Sequence, residues 1–302
     1  MPDLSRPTFD HIERLAKKRK SRPVAVASAH DPEVLEAILD ARKQYKIEAI
    51  LFGDTEQMRL LAPDIETIKG ITLVETADDE QSAALAVEAC KDGSASILMK
   101  GNLPTSTFMR AVVNKETGLR QGKLLSHVMF YEVEAYGKLL GLTDGGLNTF
   151  PDRLAKIEIL ENALTLMKTF GYERINVSLI AGAEQINPKI MSTVDAAEIS
   201  ALDKWQTLDA NVIGPVGLDL AVSVDAVKAK HYSGYGAGSA DLLVVPTYEV
   251  GNGIGKTLTY FANAKSAGLV VGASVPIVLV SRADDSEAKR LSIALGLVAA
   301  GA

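Results

Sequence analysis

The chain has 302 residues, 47% of them hydrophobic and 23% charged, enough for one large domain or two modest ones with a real core. Its formal charge of −6, with basic residues scattered, argues against nucleic acid or an anionic membrane as partner. No apolar run reaches the ~18 residues of a membrane span, and the opening 1-MPDLSRPTFDHIERLAKKRK-20 lacks the apolar core of a signal peptide, so a cytoplasmic protein is expected.

That opening stretch reads as a polar amphipathic helix. β-branched runs at 23–28, 47–53, 71–75 and 96–101 then read as strands, with helices at 32–43, 54–62 and 78–91 between them. Cys90, the sole cysteine, falls on the apolar side of the third of these helices; it reads as a buried core thiol, and no internal disulfide is possible. Residues 124–146 read as two strands joined by a turn. From Phe150-Pro151-Asp152 a second set begins: a helix at 152–170, a strand at 175–182, a helix near 192–205 and a strand at 211–215. A short helix at 218–229, a Gly/Ser/Tyr loop at 230–243, a strand at 242–246 and a helix at 253–267 follow. The chain closes with a strand at 275–280 and a helix at 284–299. This alternation is the sequence form of an α/β fold with largely parallel sheets in two halves. His11, His30, His127 and His231 lie too far apart in sequence for zinc-ligand spacing.

Three turns after strands could carry chemistry, because α/β sheets bind ligands beyond the carboxyl ends of their strands. In 241-DLLVVPTYEVGNGIGKTL-258 an apolar strand leads to Gly255-Lys256-Thr257. A phosphate-binding P-loop would need its first glycine at 250, which is Val250, so the loop is one residue short. What remains is a glycine turn whose N–H groups face an anion, or a purely structural strand-to-helix turn. In 98-LMKGNLPTSTFMR-110, Thr105, Ser106 and Thr107 open a helix after Pro104 and Arg110 lies about a turn on. These offer hydroxyls and a guanidinium to an oxyanion; the plainer reading is an ordinary helix start with a solvent-facing arginine. In 277-IVLVSRADDSEAKR-290, Ser281 precedes Asp284 by three residues, the spacing of a capping box. Arg282 opposes the helix dipole there and calls for a bound anion or for Asp284, Asp285 and Glu287. Both readings stand.

Together these segments resemble the phosphate acetyl/butyryltransferases. The residues that carry the resemblance are the ILMKG strand with its Thr-Ser-Thr…Arg helix start, 214-GPVGLDLAV-222, 240-ADLLVVPTYEVGNGIGKTL-258 and 276-PIVLVSRADD-285, in the family's order from about 100 to 285. The stretches 113-VNKETGLRQGKLLSHV-128 and 187-NPKIMSTVDAAE-198 are more similar to the butyryl branch than to the acetyl branch.

The resemblance implies reversible acyl transfer, butanoyl-CoA plus phosphate giving butanoyl phosphate plus CoA. Phosphate acetyltransferase is the near alternative, and a non-catalytic CoA- or acyl-phosphate-binding regulatory homologue the alternative of another class. It further implies a two-domain α/β/α architecture like that of isocitrate and isopropylmalate dehydrogenases. Residues 1–145 with 271–302 would form one domain, 146–270 the other, with the active site in a cleft between them. Catalytic roles fall to Ser281, Arg282 and Asp284, and substrate binding to Lys100, Thr105, Ser106, Arg110, Asn252, Gly253 and Lys256. No metal or resident cofactor is expected, since CoA is a substrate; the implied partners are short-chain acyl-CoA, phosphate, acyl phosphate and further copies of the chain. One departure stands out. Acetyl-type members carry an aspartate seven residues after the serine as base for the CoA thiol, and here that position is Ala288. The NAD- and metal-dependent β-decarboxylating dehydrogenases share this architecture but need an aspartate cluster that the sequence lacks.

Overall fold

Aspartates start helix after helix. Asp31, Asp54, Asp78, Asp152 and Asp285 each accept a hydrogen bond from the backbone N–H three residues on, at 2.8–3.1 Å, which satisfies a donor that a helix terminus would otherwise leave open. The computed structural model describes residues 7–19, 23–280 and 284–301. Its first part runs α1 (Phe9–Ala16), β1 (Val24–Ala27), α2 (Pro32–Tyr45), β2 (Ala49–Gly53) and α3 (Thr55–Leu61), then β3 (Ile71–Glu75), α4 (Asp79–Lys91), β4 (Ile97–Lys100) and α5 (Thr105–Val112). Next come β5 (Ser126–Glu132), β6 (Leu139–Thr143), α6 (Arg153–Thr169), β7 (Ile175–Ile180), α7 (Met191–Ser200) and α8 (Lys204–Thr207). They are followed by β8 (Ala210–Val216), α9 (Leu218–Val222), α10 (Val224–Ala229), β9 (Leu242–Val244) and α11 (Tyr248–Phe261). The last elements are β10 (Lys265–Val271), β11 (Ile277–Val278) and α12 (Ser286–Ala300).

The chain divides into two compact units, one of residues 10–125 with 267–302, the other of 126–266 with the residues up to 9. In the first, strand order is β3-β2-β1-β4-β11-β10, parallel throughout except for the antiparallel β10–β11 pair. β1 and β4 are buried along their whole length, as expected of parallel strands covered on both faces. In the second, the order is β5-β6-β9-β7-β8, with an antiparallel β5–β6 hairpin and parallel pairs thereafter. Adjacent residues of β5 point to opposite faces. Tyr131 joins a core with Leu140, Leu220 and Leu243 against which Ile254 and Leu258 of α11 pack. Phe130 instead meets Phe170, just past α6, edge to face at 5.4 Å. The hairpin, 126–143, groups with the second unit, as do all of 146–266.

Several elements differ from their sequence reading for identifiable reasons. The expected helix at 218–229 is two, because Ser223 is extended and its hydroxyl caps α10 by accepting from the Ala226 N–H at 3.2 Å. β10 is a strand no periodicity marks. Ser266–Val270 are all buried, so polar alternation is absent.

The largest correction concerns the glycine-rich stretch. Residues 251–256 are not a turn but the interior of α11, whose first residue is Tyr248. They therefore form no anion-facing loop. Gly251 and Gly255 serve packing instead. A Cβ on Gly251 would lie 2.6 Å from the Gly145 Cα, and one on Gly255 would lie 2.3 Å from the Tyr131 hydroxyl. Two glycines in a helix interior each cost about 1 kcal/mol relative to alanine, a cost offset by the close approach they permit. Gly251→Ala is accordingly expected to destabilise the protein by about 1–3 kcal/mol through overpacking against backbone, despite alanine's better helix propensity. Urea denaturation measures the sign; a more stable variant would contradict the packing.

Candidate active site

The exits of β1 and β4 meet at Gly101. Its N–H donates to the Ala27 carbonyl at 2.8 Å, and the Asn102 N–H donates to that of Ser28 at 2.9 Å. A Cβ on Gly101 would stand 2.3 Å from the Ser28 oxygen and 2.4 Å from that of Ala27, so only glycine allows this backbone crossing. Ser28 occupies the left-handed region at φ 48°, uncommon for a residue with a side chain. Two contacts hold it: its N–H donates to Ser82 Oγ and its hydroxyl to Asp79 Oδ1, both at 2.7 Å.

Lys100, the last residue of β4, is thereby delivered to a buried position, 3% exposed, where its ammonium donates to the Gly101 carbonyl at 3.1 Å. It lines a cavity of about 150 Å³ together with Asp31, Gly101, Asn102, Val280 and Lys289. Lys289 is as buried as Lys100. It pairs with Glu33 Oε2 at 2.7 Å and donates to the Asp284 carbonyl. Its neighbour Arg290 is held by Glu13 and Tyr45. Burial there works against the Glu13 carboxylate, but hydrogen bonds from Tyr45 and Arg290 outweigh it and keep the carboxyl below its usual range. Arg290 is thus committed to anchoring α12, while Lys289 faces the cavity.

The residues singled out in the sequence are placed unevenly. Lys100 lies in the cavity wall, and Asp284 is joined to it through Lys289. Thr105 and Ser106 open α5, with Pro104 at the cap position and no side-chain cap bond. Both are exposed, as is Arg110 in the helix's last turn, and none lines that cavity. Asn252, Gly253 and Lys256 belong to the other unit, within α11, where Gly253 and Lys256 are exposed and Asn252 is half-buried. Ser281 and Arg282 lie outside the described residues. The helix cap read at Ser281 is supplied by Asp285, one turn closer to the helix.

Three charged residues were missed. Asp31 was legible only as a helix start. Lys289 had a signal: with Ile293 and Gly296 it forms an i, i+4, i+7 stripe, and Gly296 packs against Ile97 of β4. From Gly296 to Lys289 the helix covers about 10 Å, as does β4 from Ile97 to Lys100, so the stripe ends where the strand ends. In the other unit Asp144, 2% exposed at the end of β6, was also missed. Its carboxylate accepts from the backbone of His127, Gly146 and Leu147 and from the Asn148 side chain at 2.7–2.9 Å, which fixes the loop that α11 packs upon.

Among the described residues no group of three or more His, Cys, Asp and Glu is arranged to hold a metal, and no helix is long and apolar enough to cross a membrane. Cys90 is 5% exposed, and burial, aided by Asp92, pushes its thiol up to about 12. The thiolate is therefore scarce at neutral pH. Native protein should resist alkylation by iodoacetamide at pH 8 and react once unfolded, and Cys90→Ala should keep wild-type turnover. Fast labelling of the native chain would contradict this.

Comparison with known proteins bears on the same segments. A family model described as phosphate acetyl/butaryl transferase matches residues 69–296. The phosphate butyryltransferase of Clostridium acetobutylicum is 42% identical over 296 residues, covering 97% of this chain and 98% of that protein. The phosphate acetyltransferase of Thermotoga maritima is 33% identical over 291 residues, covering 95% and 99%. The crystal structure of a branched-chain phosphotransacylase from Enterococcus faecalis matches with a TM-score of 0.82 at 36% identity, covering 92% of this chain and 99% of that one.

Proposed function

The chain belongs to the phosphate acetyl/butyryltransferase family, and from that premise we propose that it moves a short-chain acyl group reversibly between CoA and inorganic phosphate, with butanoyl as the acyl group. The observation that carries the reading is the buried Lys100 at the carboxyl end of β4, in the wall of a cavity where α/β proteins bind ligands. Phosphate oxygen attacks the thioester carbonyl, the tetrahedral intermediate collapses, and CoA leaves as thiolate. Arg282 suits the phosphate as a two-pronged donor. Ser281 suits the carbonyl oxygen, whose developing charge a single donor stabilises by about 3–4 kcal/mol. Asp284 joins Ser281 and Arg282 in the catalytic set, and Thr105, Ser106, Arg110, Asn252, Gly253 and Lys256 join Lys100 in the substrate-binding set, on the strength of the family motifs. The reaction requires no metal and no resident cofactor. A homo-oligomeric, cytoplasmic enzyme with its site in a cleft of an isocitrate/isopropylmalate dehydrogenase-like fold belongs to the same reading, supported by the family resemblance.

Two relatives sharpen the acyl question. The likeness to a branched-chain phosphotransacylase favours pockets larger than acetyl, and the likeness to a phosphate acetyltransferase is the weaker of the two in identity. Thiol release from butanoyl-CoA in millimolar phosphate, unaffected by a chelator and without nucleotide, is the expected outcome. With about 0.8 kcal/mol per buried methylene, butanoyl-CoA should exceed acetyl-CoA in kcat/KM by roughly tenfold. Well-folded protein that releases no thiol from any short acyl-CoA would end the proposal.

Separating cap from chemistry gives a second test. Asp285→Ala should cost about 0.5–2 kcal/mol of stability. Ser281→Ala should leave the melting temperature nearly unchanged and lower kcat by about a hundredfold. Arg282→Lys should likewise lose activity at unchanged stability, because the charge stays and the planar fork goes. Full activity in both the Ser281 and Arg282 variants would remove them from the site.

A further inference from the structure

The second unit has a crevice of its own. β7 and β9 are adjacent and parallel, but the chain leaves them in opposite directions. From β7 it passes to α7, which packs against β8; from β9 it enters α11, which packs against β5 and β6. Neighbouring parallel strands whose connections diverge leave a gap beyond their carboxyl ends, where open α/β sheets take ligands. A cavity of about 510 Å³ lies there, walled by Phe150 and Pro151 ahead of α6, Met191 at the start of α7 and Pro246 just past β9. An adjoining void shares Lys156, Asp195 and Pro246 with it and reaches Ile180 and Val244, the last residues of β7 and β9.

The charged side chains of the wall are engaged and balanced. Lys156 and Asp195 pair at 2.6 Å. Arg153 pairs with Glu198 of α7, and Asp152 accepts the Ala155 N–H at 2.8 Å as the cap of α6. Asp152 and Asp195 thus offset Arg153 and Lys156, and the wall is neutral as a whole. Phe150 is 72% exposed and Met191 60% exposed, large apolar side chains left in water. A mainly apolar cavity of this size with a few polar groups has the character of a small-molecule pocket. Its balanced charge fits a neutral apolar group rather than a phosphate or another anion. An apolar cavity of about 150 Å³ already admits benzene, so a four-carbon chain, straight or branched, fits with room to spare.

We propose that this crevice takes the acyl chain of the substrate, and that Met191 and Phe150 set which chain lengths are accepted. The ligand class rests on the acyl-transfer reading. The pocket itself rests on the diverging strands, the apolar wall and the balanced charge. That reading already draws on this unit through Asn252, Gly253 and Lys256 of α11, the helix that β9 leads into. A chain lying against Phe150 and Met191 takes apolar surface of both out of water, and the gain grows with each methylene. Methionine, unbranched and adaptable, suits a wall that meets chains of differing shape. An acetyl group, two carbons shorter than butanoyl, covers less of that surface.

The test uses the full-length chain and compares butanoyl-CoA with acetyl-CoA. Met191→Trp narrows the crevice from an exposed helix start, so its melting temperature should stay close to that of the wild type. Its butanoyl-to-acetyl ratio of kcat/KM should fall by about tenfold, the effect of two buried methylenes. A ratio left at the wild-type value would overturn the proposal, even where both rates fall together. Should Met191→Trp fail to fold, Phe150→Ala, which removes part of the wall, carries the same expectation and the same refutation. Where no thiol is released, calorimetric titration decides. Butanoyl-CoA should then bind the wild type more tightly than free CoA does, and Met191→Trp should lose that difference. The two readings fail separately. Thiol release with an unmoved ratio removes the pocket and leaves acyl transfer. A butanoyl-CoA binding preference that Met191→Trp abolishes, without thiol release in phosphate, keeps the pocket and removes acyl transfer. Absence of both release and preference removes both.

Discussion

The site depends on one backbone contact, the crossing of the chain leaving β4 over the chain leaving β1. Two hydrogen bonds, from Gly101 to Ala27 and from Asn102 to Ser28, fasten it, and the missing side chain of Gly101 makes it possible. From that crossing follow the burial of Lys100, the turn of Ser28 into the left-handed region and the position of Asp31 at the mouth of α2. Because Ser28 is anchored to Ser82 and Asp79 on α4, the strand exit is braced by a helix as well as by its neighbour. Sites held by packed secondary structure keep their geometry better than sites on free loops, and here Lys100 and Lys289 stand on regular elements.

Glycine means opposite things in the two units. At Gly101 it lets backbone cross backbone at a strand end, next to a buried charge. In α11 it thins a helix so that Gly251 can rest on Gly145 and Gly255 on Tyr131. Sequence spacing could not distinguish these uses. Both segments show a glycine after an apolar run, and what separates them is the position of the helix start. In α11 that start is Thr247, which gives no side-chain cap bond, unlike the aspartates that start α2, α3, α4, α6 and α12.

The fold was legible where local chemistry decides it. β-branched runs alternating with helical stretches gave the alternation and most element positions, and the motifs at the strand ends led to the right family. It was illegible where tertiary contact decides it. β10 is buried and so lacks alternation, and Ser223 divides a helix by its own hydroxyl. Of the site, Lys100 was readable as the polar end of an apolar strand. Lys289 sat in plain view on the inward stripe of α12, but a lysine at a helix start followed by arginine reads as a solvated pair until Ile293 and Gly296 are counted with it. Asp31 and Asp144 carry no pattern, because an acid that caps a helix or fixes a loop looks like any surface acid.

Ala288 removes the carboxylate with which acetyl-type members of the family are held to deprotonate CoA, and the electrostatics of this chain fit that loss. In the direction from acyl-CoA to acyl phosphate no thiol proton has to be taken. Phosphate dianion is already a nucleophile, and the group that leaves is a thiolate whose acid has a pKa of about 8.5 in water. A leaving thiolate is destabilised by a neighbouring carboxylate, so an uncharged residue at 288 suits a step in which CoA leaves as thiolate.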